Sequence, residues 1–145
     1  MMASNLFGQF HVTPTSTAMK EAYALFPRYG DYQELRKQAL KLAFWPNGSL
    51  SASGSVCDLN WEEIDGMKAP RACELRVDDT IGGMNNLRVI FYVFDKKLVL
   101  GGDVLPRLWT IGVMQKKTQR FSPNDLRTFA ARVSIIRRRI YIDYL

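Results

Sequence analysis

The residues best suited to chemistry are cations. Arg76 and Arg88 flank a Gly82-Gly83 turn. In a hairpin symmetric about that turn they become direct cross-strand neighbours, with Tyr92 four residues on along the face of Arg88. Adjacent cations repel unless an anion joins them, so the pair reads as a phosphate clamp. The architectural alternative is a different register, or neutralisation by Glu74 and Asp78. A second group, Lys116, Lys117 and Arg120, lies in Gln115–Arg120 just ahead of a helix start, where cations and helix amides together suit a phosphate. Many surface loops are equally basic, and only the position of this one singles it out.

Residues 107–145 hold nine bases (Arg107, Lys116, Lys117, Arg120, Arg127, Arg132, Arg137, Arg138 and Arg139) against two acids, Asp125 and Asp143. The whole chain carries +6, so this last quarter supplies all of the excess. Such a block attracts nucleic-acid phosphates or an acidic partner; the bland alternative is a solvated helix face. Other chemistries find little support. His11 is the single histidine, there is no glycine-rich phosphate loop, and the carboxylates are scattered, so neither a His-dependent triad nor a metal hydrolase is expected. Cys57 and Cys73 lack zinc-ligand spacing and read as buried thiols of a reduced, cytoplasmic protein. The longest apolar run, Val89 to Phe94, is far short of the roughly 18–20 residues of a membrane span, and the N-terminus shows no secretion signal.

The elements that must position these cations follow from periodicity. At 145 residues, 47% hydrophobic, a single domain spanning 1–145 is expected. Thr15-Ser16-Thr17 offers caps for a helix through Phe26, and Asp31 with Glu34 starts a second helix that Pro46-Asn47-Gly48 ends, giving an N-terminal helical hairpin. Gln9–Thr13 reads as a short first strand and 48–70 as a long loop, functional or hiding a short element. Cys73–Val77 alternates as a half-buried strand, Leu87–Phe94 is apolar on both faces, and Arg107–Met114 is a third strand. Asp95-Lys96-Lys97 and Gly101-Gly102-Asp103 read as turns between the last two. Ser122-Pro123-Asn124-Asp125 then opens a helix whose apolar stripe runs from Leu126 to Ile140, with Arg127, Arg132, Arg138 and Arg139 largely opposite. The expected fold is α+β: the helical hairpin packed on a twisted antiparallel sheet, a C-terminal basic helix, and the helices against one face.

The ordered set Glu74-Leu75-Arg76-Val77, Leu87-Arg88-Val89-Ile90-Phe91-Tyr92, the strand through Leu108-Trp109, and Lys116-Lys117-Thr118 running into Ser122-Pro123 resembles the RelE/ParE toxin superfamily, in its HigB-like branch. The resemblance covers about residues 70–140. It implies a type II toxin whose sheet holds a basic RNA site. The activity it implies is an endoribonuclease that cleaves mRNA, usually on the ribosome, without metal or other cofactor. Carried over by position, Arg76, Arg88, Lys116 and Lys117 are the catalytic set. Tyr92, Arg120, Arg127, Arg138, Arg139 and Tyr144 bind RNA, and Tyr141 is a further candidate. The implied partners are mRNA, the ribosome and a helix-turn-helix antitoxin. Relatives often carry His-Gly-Phe before the lysines; here Ile111–Gln115 has no histidine. A ParE-like gyrase inhibitor and a non-catalytic RNA-binding module are therefore the alternatives.

Overall fold

Capping chemistry sets two of the three helix starts. In a computed structural model, residues 10–46, 49–50, 56–57, 59–67, 72–97 and 106–144 are described, without side chains at 49–50, 56–57, 95–97, 106 and 140–144. The Thr15 Oγ1 accepts the Ala18 N–H at 3.1 Å and opens α1, Ser16–Leu25. Helix α2, Tyr29–Leu40, starts two residues before Asp31, on an Arg28 cap that makes no side-chain hydrogen bond, and passes into a 3₁₀ turn, Lys41–Phe44. Ser122 Oγ accepts from the Asp125 N–H while Asp125 Oδ2 accepts from the Ser122 N–H, the reciprocal box that starts α3, Pro123–Tyr144.

Seven strands accompany them among the described residues: β1 His11–Pro14, β2 Ser49–Leu50, β3 Val56–Cys57, β4 Trp61–Glu63, β5 Cys73–Val77, β6 Leu87–Lys97 and β7 Pro106–Gln115. β2 and β3 pair with each other, and the rest form one sheet in the order β1-β7-β6-β5-β4. The architecture is α+β, as expected, but the sheet is mixed, because β1 lies parallel to β7. Residues 95–97 continue β6 rather than turning. The Gly101-Gly102-Asp103 turn falls outside the described residues. The 48–70 segment hides three short strands, one of which, β4, extends the main sheet.

Alternation along the strands divides the core. Leu75, Val77, Val89, Phe91 and Leu108 share one cluster with Ala22, Phe26, Leu35 and Leu42 of the first two helices and the 3₁₀ turn. Ile90, Tyr92 and Ile111 share another with Phe129, Val133 and Ile136 of α3. Neighbouring strand residues point to opposite faces, so helices cover both faces of the sheet, correcting the one-sided arrangement. Both faces of β6 are buried at Val89, Ile90 and Phe91, which explains its uninterrupted apolar run.

Candidate functional site

The face under α3 carries the cations and, beside them, acids. Gly82 and Gly83, at φ of 56° and 80°, take left-handed conformations that side chains resist, and they close the β5–β6 hairpin. The β5–β6 register sets Arg76 opposite Arg88, but not by symmetry about the glycines. The turn pairs Ile81 with Met84, which continued evenly would oppose Arg76 to Val89. One extra residue in 78–80 relative to 85–86 shifts the ladder to Arg88. The same ladder sets Glu62 of β4 opposite Glu74 of β5. Two rows of like charge therefore lie side by side, and ion pairs run diagonally between them. Arg88 Nε donates to Glu74 Oε1 at 3.1 Å, and Arg76 Nη2 to Glu62 Oε1 at 3.4 Å. Glu74 is one of the two neutralising residues anticipated. Asp78 is not the other, since it accepts from Asn60 Nδ2 instead.

Trp61 explains how Glu62 arrives. Its ring lies 5.1 Å from Trp45 and 6.3 Å from Phe91, and its Nε1 donates to the Pro46 carbonyl. That anchors β4 by one face and turns the next residue, Glu62, to the other.

Lys116, one residue past β7, is held by its backbone N–H on the Asn86 carbonyl. Its Nζ reaches Glu74 Oε1 at 3.6 Å and lies 4.4 Å from the centre of the Phe121 ring. Glu74 is thus clasped between two cations in a site from which water is largely excluded. Side-chain exposures are 3% for Glu74, 12% for Arg88 and 10% for Lys116. Glu74 and Lys116 line a hollow of about 550 Å³ together with Glu62, Glu63, Asp65, Arg120 and Phe121, among others. Arg88 and Arg76, expected in the catalytic set, are not in that lining, and Arg88 meets it only through Glu74. Thr118 Oγ1 donates to the Arg120 carbonyl at 2.6 Å and shapes the turn that brings Arg120 there. Four carboxylates meet two cations in that lining, so the hollow is of mixed charge rather than uniformly basic. Among the described residues no three His, Cys, Asp or Glu side chains gather as metal ligands would.

The other candidates scatter. Lys117 is exposed beside Lys116, and Arg127 and Arg138 are exposed on α3. Arg139 lines a different hollow, near the start of α1. Tyr92 is buried beneath α3, 7% exposed, and its hydroxyl accepts from Arg137 Nη1, so its ring has no open face for a base. The side chains of Tyr141 and Tyr144 lie outside the described residues. Arg132 does not sit on a solvated helix face: it makes a two-pronged ion pair with Glu21 of α1, at 2.8 and 3.0 Å. Glu74 was not among the expected catalytic residues. The available signal was its place two residues from Arg76 on the polar face of an alternating strand.

No helix of the described residues is long and apolar enough to cross a membrane. Compared with family models, curated proteins and solved structures, the chain finds no match.

Proposed function

We propose that this chain is a metal-independent endoribonuclease, a cytoplasmic mRNA interferase of the RelE/ParE toxin kind, held in check by a helix-turn-helix antitoxin. The carrying observation is Glu74 clasped between Arg88 and Lys116 at the border of a hollow wide enough for a nucleotide.

Glu74 is the one member of the triad that accepts a proton from a ribose 2′-hydroxyl. As the 2′-oxygen bonds to phosphorus and the bond to the 5′-oxygen breaks, Arg88 and Lys116 face the developing oxyanion, and Lys116 or Lys117 returns a proton to the leaving oxygen. The products are a 2′,3′-cyclic phosphate and a 5′-hydroxyl. Arg76 joins from outside that lining, through Glu62, which belongs to it. Its pair with Glu62 is about half exposed, 44% and 57%, and such surface pairs are worth about 0–1 kcal/mol, so a phosphate displaces it readily.

The test is to induce the gene alone and map transcript 5′ ends. New ends within translated mRNAs are expected, and Arg88→Ala or Lys116→Ala should abolish them together with growth arrest. If both variants remain fully toxic, the site is elsewhere. The absence of a histidine from Ile111–Gln115 favours a second reading, binding without cleavage. In that case arrested supercoiling by gyrase, or RNA binding with no new 5′ ends, replaces the cleavage pattern.

A further inference from the structure

A second basic hollow lies away from Glu74, at the opposite corner of the same sheet face, where α3 passes the start of α1. There a hollow of about 390 Å³ is lined by Ser16, Thr17, Trp109, Arg132, Ile136 and Arg139, among others, and no carboxylate belongs to its lining. Arg132 and Arg139 are two helical turns apart, about 10 Å along α3, on one stripe.

The donors at this corner exceed the acceptors. The first turn of α1 holds no acid, and Thr15 caps only the Ala18 N–H, leaving the Ser16 and Thr17 amides at an electropositive helix end. Glu21, the carboxylate that meets Arg132, is engaged by both Arg132 prongs and by the Val113 N–H. Arg139 is exposed. Behind the wall, the Trp109 indole N–H and the Arg107 Nε–H are buried without partners among those residues, and the Arg107 guanidinium stacks over the Trp109 ring at 5.2 Å.

We infer that this groove is a second, non-catalytic phosphate site, which takes a backbone phosphodiester of the RNA strand away from the linkage being cut. Guanidinium and backbone N–H groups converging on one hollow match phosphate oxygens, and the hydroxyls of Ser16 and Thr17 add donors that a diester can use. The assignment of the phosphate to RNA rests on the nuclease reading; the anion site itself does not.

The experiment has two arms. Inorganic phosphate is titrated into the ¹⁵N-labelled full chain while the Ser16 and Thr17 amides and the Trp109 indole are followed by NMR. Single-stranded RNA binding is measured by fluorescence anisotropy against salt for the parent and for Arg139→Ala, which removes an exposed side chain and leaves the fold intact. Phosphate should shift those three signals. R139A should weaken RNA binding several-fold whatever the sequence, and flatten the log–log salt slope by about 0.7. Unmoved signals, or R139A binding RNA as the parent does, overturn the site. Shifted signals and weakened RNA binding from a protein that cleaves nothing support the groove and tell against the nuclease reading alone.

Discussion

Removing the carboxylate of Glu74 would leave Arg88 and Lys116 facing each other, nearly buried, with no counter-charge. Breaking a buried ion pair from one side costs about 3–5 kcal/mol, so Glu74→Ala should lower the urea midpoint sharply. Glu74→Gln keeps the shape and a hydrogen-bond acceptor but cannot take a proton. It should therefore reduce RNA cleavage about 10²–10⁴-fold at substrate concentrations where binding is still saturated. A Gln variant that cleaves normally would remove Glu74 from the chemistry. Cys73, next to Glu74 on the opposite face, makes a separate prediction. Burial, with a smaller contribution from Glu63, pushes its thiol from 9.0 up to about 12. The unfolded chain loses that proton first as pH rises. Stability is therefore unaffected below pH 9 and falls by about 1.4 kcal/mol per pH unit between 9 and 12. Cys73→Ala should flatten that part of the pH–stability curve, and native alkylation of Cys73 at pH 8 should be slow.

At the scale of elements, the edge of β7 is the feature most dependent on distant parts of the chain. β1 covers it only through Thr110, because Pro14 ends that strand. Beyond that point side chains take over the ladder. Glu21 Oε1 accepts from the Val113 N–H at 3.1 Å, and Arg132 Nη1 donates to the Ile111 carbonyl at 3.0 Å. The ion pair thus stands in for a missing strand and ties α1, on one face, to α3, on the other. Gly112 makes the room, since a Cβ there would lie 2.8 Å from Arg132 Nη1 and 3.2 Å from Glu21 Oε1. Glu21→Ala should speed hydrogen exchange at the Val113 amide selectively. Gly112→Ala should destabilise by about 1–3 kcal/mol, because Arg132 is held by three hydrogen bonds and cannot simply swing aside. Unchanged exchange at Val113 in the Glu21 variant would show that the clasp is not a structural bond in solution.

For the whole molecule, the sheet is the shared wall of two cores. Leu42 and Ile90 are both fully buried, one in each. Truncating either to alanine should cost about 2–5 kcal/mol, and both should unfold in one transition followed identically by tryptophan fluorescence and circular dichroism. Two separable transitions would mean that α3 docks as an independent unit. Charge is organised at this scale too: acids from β4 and β5 offset the cations at the Glu74 end, while the Arg139 end keeps its excess. The two ends should therefore differ in salt sensitivity, with the Arg139 end more affected.

What was legible in the sequence was local. Ser122, Pro123 and Asp125 announce α3 because a cap is decided by four consecutive residues. Gly82 and Gly83 announce the turn, but the facing of Arg76 and Arg88 also needs the one-residue shift between the Ile81–Met84 pair and the ladder, which the glycines do not dictate. The alternation of Cys73–Val77 assigns Glu74 and Arg76 to a common face before any fold is known. Tertiary structure alone decided which acids reach those cations. Glu62 lies on a three-residue strand too short to show a period, and it is delivered by the packing of Trp61 against Trp45 and Phe91. Glu21 meets Arg132 across 111 residues of sequence. Tyr92 is buried because α3 crosses the second face of the sheet. Backbone and turn preferences act within a few residues and can be read in order, whereas the neutralisation of a charge depends on whatever the fold brings within about 4 Å.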